Sequence, residues 1–233
     1  RQTNSIHDQR VHGDEILERL RSERVPPALK PVLAAFADAQ KKLAAATDGT
    51  ETARAARDAA LEAVGKADAA LDVEVGKLAD ALVGAGLGSR KQPFAKFSPR
   101  PPSKLVALGY AREAREVVAL CKAVRRGKPA GAVAKAVAAC EKGAANVQRA
   151  IAALAKPQAA YARALAARDA LLPAWSAALA RLKRHAAVAW ESDVATLKSI
   201  FAAPEAVAAP HASRKKTVAA PKPNGAPAPT PPA

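Results

Sequence analysis

Apolar residues recur along this chain at alternating spacings of three and four, the period of a helix that buries one face, and nowhere do they alternate in twos as a half-buried strand would. A charged segment from Ser5 to Glu23, anchored by Ile16, Leu17 and Leu20, predicts a short first helix that ends before Val25-Pro26-Pro27. Proline is tolerated in a first helical turn, so that pair predicts entry into a second helix reaching Thr47. Along it Leu29, Val32, Phe36, Ala39, Leu43 and Ala46 form a heptad-like seam. Asp48-Gly49-Thr50 reads as a turn with a capping threonine. The helix after it, from Glu51 to Val83, places Val64, Ala67, Leu71, Val75, Leu78 and Leu82 on one face. The two helices together predict an antiparallel hairpin.

Gly84, Gly86 and Gly88 stop that helix, and the stretch to Pro102 is too rich in glycine and proline to continue it. Phe94 and Phe97 are expected to pin this connection across the bundle end, the alternative being an exposed docking patch. From Ser103 to Arg126 a fourth helix is predicted, with Val106, Tyr110, Val117, Leu120, Cys121 and Val124 on its apolar side. Lys104, Arg112, Arg115, Lys122 and Arg126 fall nearly opposite. Gly127-Lys128-Pro129 marks a turn, and a fifth helix follows with the seam Val133, Val137, Cys140, Ala144, Val147, Ile151 and Leu154. After Lys156-Pro157 a sixth helix is expected to run through Tyr161, Leu165, Leu172, Leu179, Leu182 and Ala186 to Phe201, kinked at Pro173 unless it restarts there.

The fold class is therefore all-α: an antiparallel, alanine-rich bundle of five to six helices over residues 1–203, followed by a disordered Ala/Pro/Lys-rich tail over 204–233. Ala-Ala-Arg-Asp-Ala-Ala-Leu at Ala55 to Leu61 recurs nearly unchanged at Ala166 to Leu172, which raises the prospect of two duplicated helical hairpins. Composition sharpens the picture. Half of the 233 residues are hydrophobic, yet aromatics make up 3% and methionine is absent, so most buried contacts must be made by alanine and helices can approach closely. Trp175 and Trp190 are expected to fill gaps that alanine leaves, and Cys121 and Cys140 to be small buried hydrophobes in a reducing compartment.

The formal charge of +16 is unevenly spread. Residues 89–128 hold eleven basic side chains against Glu113 and Glu116, while the preceding 88 residues are close to neutral. A basic loop next to one basic helix face is a polyanion-binding footprint, and its residues would be Arg90, Lys91, Lys96, Arg100, Lys104, Arg112, Arg115, Lys122 and Arg126. The competing reading is a solvated flank that keeps an alanine-rich bundle soluble.

Catalytic patterns are missing. The glycines at 84, 86 and 88 follow a helix, and no phosphate loop occurs. His7, His12, His185 and His211 are scattered, with none at metal-ligand spacing to a cysteine or another histidine. Asp58 and Asp169, each beside an arginine, read as surface ion pairs. No enzyme activity, metal or cofactor is expected. The expectation is a cytoplasmic protein without a membrane span, acting as a non-catalytic scaffold or interaction protein whose partner is another macromolecule, protein first and nucleic acid second. The alternative is a nonspecific DNA- or polyanion-binding protein of the nucleoid-associated type, using the segment 89–128 and the tail.

Overall fold

The computed structural model of the protein describes residues 6–202. The expected tail over 204–233 lies outside the described residues. Those residues are helical with no strand: α1 Ile6–Ser22, a 3-10 turn at Pro27–Leu29, α2 Lys30–Gly84, α3 Pro102–Leu105, α4 Tyr110–Arg126, α5 Gly131–Asp169, α6 Leu172–Ala189 and α7 Val194–Ile200. No helix among them is long and apolar enough to cross a membrane.

The predicted hairpin at Asp48-Gly49-Thr50 does not exist. α2 runs through it as one helix of 55 residues, about 80 Å at 1.5 Å per residue. A glycine within a helix costs only about 1 kcal/mol relative to alanine, too little to stop a helix that has partners on both sides of it. The local polar groups are also used within the helix: Thr47, Thr50 and Thr52 donate their hydroxyls to the carbonyls of Leu43, Ala46 and Asp48. Asp48 itself is held by Arg10 of α1, Nη1 to Oδ1 at 2.5 Å. A Thr hydroxyl bonded to the preceding turn is satisfied without acting as a cap.

Lys156-Pro157 likewise fails to separate two helices, because α5 continues through Pro157 to Asp169. The chain breaks instead at Ala170-Leu171 and restarts with Pro173 in the first turn of α6. α5 and α6 together run antiparallel to α2. Gly143 lies against Leu71, Thr50 Oγ1 is 3.3 Å from the carbonyl of Ala164, and Trp175 reaches Gln40. At Gly143 a Cβ would stand 3.0 Å from Leu71 Cδ1, so its hydrogen allows the two helices to close up.

Two more predicted helices are divided. Gly109, in extended backbone, caps α4 and separates it from α3, so Leu105 is the buried anchor there and Tyr110 is 45% exposed, against the expectation for its apolar side. The sixth helix stops at Ala189; Asp193 then accepts from the Thr196 amide at 3.0 Å and starts α7. The Thr196 hydroxyl first, and then its amide, hold the Asp193 carboxyl below its ordinary range. α7 folds back on α1, where Arg19 donates to the carbonyls of Ile200 and Ala202.

Burial divides into two cores at opposite ends of the long helix pair. One gathers Ile16, Leu20, Phe36, Leu43, Trp175, Leu182 and Ile200 from α1, α2, α6 and α7. The other gathers Leu71, Leu78, Phe94, Leu105, Val117, Cys121, Val137 and Cys140 from α2 to α5 and the loop. Phe94 is buried in it, as the pinning role requires. At the head of that loop Gly86, with φ +69°, ends α2, while the Leu87 amide bonds back to the Leu82 carbonyl. Between Thr50 and Val64, α2 has no fully buried residue. That stretch is a two-helix stalk, sealed by half-buried positions and by the Arg57 guanidinium 4.3 Å above the Tyr161 ring.

Gln40 organises the first core. Its Nε2 donates to the Arg10 carbonyl and to Asp14 Oδ1, both at 2.8 Å, and its Oε1 accepts from Trp175 Nε1 at 2.6 Å. The amide is 2% exposed and fits only because residue 13 is glycine.

The buried positions of the two halves correspond in a register other than the heptapeptide match. Buried Gly13 and Ala114, Ile16 and Val117, Leu20 and Cys121, Val32 and Val133, Phe36 and Val137, and Leu43 and Ala144 all stand at one constant spacing. The repeated unit is a short helix followed by a long one, not a hairpin.

Candidate functional site

The nine predicted basic residues come from three elements. Arg90, Lys91, Lys96 and Arg100 lie in the loop after α2, Lys104 in α3, and Arg112, Arg115, Lys122 and Arg126 on α4. Lys104 is therefore not part of the α4 stripe that the sequence suggested. α4 buries Ala114, Val117, Leu120, Cys121 and Val124 against α5 and α2, which leaves the positions 112, 115, 122 and 126 facing solvent along one side.

The loop and the helix join into one surface. Lys91 and Arg100 line a single cavity with Gln92, Phe94 and Ser98, and Arg100 Nε reaches Glu116 Oε1 at 4.0 Å. Glu116 in turn shares a shallow groove with Arg112, Arg115 and Ala119. Arg90, Lys96, Lys104, Lys122 and Arg126 line neither of these two depressions. Apart from Arg100, none of the nine residues makes an ion pair among the described residues. An exposed pair such as Arg100–Glu116 is worth at most about 1 kcal/mol, so a polyanion could displace it. Arg125, next to the stripe, is committed elsewhere: it holds Glu141 of α5 through two bonds at 2.8 and 2.6 Å, which lowers the Glu141 carboxyl.

Glu113 is not a surface charge offsetting these arginines. It is fully buried, neither of its oxygens has a hydrogen-bond partner, and it faces Asp68 and Asp72, one helical turn apart on α2. Oxygens of the three carboxyl groups lie within 4.8 Å of one another. Burial first, then the closeness of the Asp72 carboxyl and the charge of Asp68, push the Glu113 carboxyl up to about 8. Asp68 is raised by burial and by the charge of Asp72. The sequence held a signal for this cluster. Asp68 and Asp72 flank the buried Leu71, and Glu113 is one residue from the apolar stripe.

Cys121 and Cys140 are both buried and free. Trp175 and Trp190 are buried in the first core. Asp58 and Asp169 pair with the adjacent Arg57 and Arg168.

Compared with protein-family models, curated proteins and solved structures, the chain matches none.

Proposed function

We propose that the protein is a non-catalytic helical scaffold, which holds two separate end surfaces a fixed distance apart and acts by binding another macromolecule. The observation that supports this reading is the division of the core into two end clusters joined by a paired-helix stalk. A single reaction centre has no use for such a division, whereas a spacer depends on it. Affinity capture of the full chain from its host, with and without nuclease, tests the reading. A protein partner that survives nuclease supports it; complete loss of bound material on nuclease treatment contradicts it.

One observation favours a second reading, polyanion binding. Among the described residues, eight of the nine basic side chains from the loop, α3 and α4 have no acidic partner, and the Arg100–Glu116 pair links the cavity beside Lys91 to the groove beside Arg112 and Arg115. Binding to nonspecific duplex DNA should then weaken steeply with salt, because each phosphate engaged releases a counterion. Replacing Arg112, Arg115 and Lys122 together by glutamate should abolish it. Absence of binding at low salt removes this reading.

A further inference from the structure

We infer that Asp68 and Asp72 of α2 and Glu113 of α4 form a binding site for one hard divalent cation, of the magnesium, calcium or manganese class. The aspartates alone would be an ordinary acidic pair on a helix. Glu113 changes their meaning. It comes from a different helix, is fully buried, is aimed at the pair, and has no donor for either carboxylate oxygen. Asp68 Oδ1 and Asp72 Oδ1 are also buried without partners. Among the described residues, no lysine, arginine or histidine pairs with any of the three.

Three carboxylates this close repel strongly in a poorly solvated place, and burying an uncompensated charge is strongly unfavourable. Either protons or a cation must neutralise them. A cation satisfies all the orphan oxygens at once, from ligand atoms already within 4.8 Å of one another. The donor set selects the kind of ion. Carboxylate oxygens without imidazole or thiolate suit magnesium, calcium or manganese better than zinc or copper, with waters completing the shell. Such an ion would tie α4, the helix that carries Arg112, Arg115, Lys122 and Arg126, to the middle of the second core. The inference is independent of whether that basic face binds a polyanion.

The test uses the full chain, stripped with chelator and desalted, then titrated with manganese while free ion is read by its electron paramagnetic resonance signal. Calcium and magnesium are run as competitors. One manganese per chain is expected at a concentration no higher than about 1 mM, the weak end for oxygen-ligand sites. Asp68→Asn and Asp72→Asn should each weaken binding about tenfold or more. Asp80→Asn, on the exposed side of the same helix, should leave it unchanged. Glu113→Gln, which keeps the shape of the side chain, serves if an aspartate variant fails to fold. Absence of bound manganese in the unmodified chain overturns the inference, as does binding that survives both aspartate substitutions. Either result would make the cluster a set of carboxyl groups neutralised by shared protons.

Discussion

Replacing Gly13 by alanine sets two effects of opposite sign against each other. On helix propensity alone Gly13→Ala, in the interior of α1, should stabilise by about 1 kcal/mol. The structure says otherwise. The new Cβ would lie 2.1 Å from Gln40 Oε1 and 2.5 Å from its Cδ, so the amide must leave. The end of a glutamine moves easily when it is free, but this one is held by Arg10, Asp14 and Trp175. Three hydrogen bonds at about 1 kcal/mol each are lost, and the buried Trp175 indole is left without an acceptor, roughly 1–3 kcal/mol more. Some of those groups will find water, so the net expectation is a loss of about 2–4 kcal/mol. Urea unfolding followed by tryptophan fluorescence is the assay, since Trp175 and Trp190 both report on this core. The decisive comparison is the same substitution in a Gln40→Ala background. There the obstacle is gone, and alanine at 13 should stabilise by about 1 kcal/mol. A stabilising Gly13→Ala in the unmodified chain would refute the reasoning, because it would mean that Gln40 is not fixed where the structure places it.

Other substitutions test other parts of the fold. Gly49→Ala meets nothing within 4 Å and should stabilise α2 by about 1 kcal/mol in thermal or urea unfolding; at a true turn it would destabilise. Pro157→Ala should restore an interior hydrogen bond of α5 and raise stability by about 1–3 kcal/mol, with helix content by circular dichroism unchanged or higher. Glu113→Gln tests the buried carboxyl in the presence of chelator. Because folding raises this group from 4.5 to about 8, its contribution is fully present below about pH 4.5 and is lost as pH rises through about 8. The variant should match the unmodified chain near pH 4 and exceed it by roughly 4–5 kcal/mol near pH 9. A difference that does not change with pH would contradict the burial of Glu113.

The fold class was legible because helix periodicity survives everywhere in the chain, and the buried seams Val32-Phe36-Leu43 and Val133-Val137-Cys140-Ala144 follow it closely. Element ends were legible only where the break had no competitor. The glycines after α2 and the turn before α5 stop helices because nothing packs beyond them to carry the helix on. Asp48-Gly49-Thr50 and Lys156-Pro157 carry comparable local signals, yet each lies beside an unbroken partner helix, and tertiary packing outweighs a penalty of about 1–3 kcal/mol. Asp193 was missed for the opposite reason, since its cap lies inside a segment whose apolar spacing continues past it.

The basic segment was legible as composition; Lys91 and Arg100 line one cavity and Arg112 and Arg115 a second groove, joined by the Arg100–Glu116 pair. Its connectivity was not, because Gly109 rotates α3 away from the α4 stripe. Least visible were the polar groups inside. Gln40 and Glu113 occupy positions next to the apolar stripes, where a sequence pattern cannot tell a buried hub from a solvated rim.

The continuous α2 helix, which sets the two cores apart, is tested most directly by a pulsed electron paramagnetic resonance distance. Spin labels would be placed at Ala35 and Ala63, both exposed, in a chain with Cys121 and Cys140 replaced by alanine. An uninterrupted helix predicts a narrow distribution near 42 Å, at about 1.5 Å per residue. A distribution centred near 10 Å, the spacing of two packed helices, would show a hairpin at Gly49 and contradict the rod.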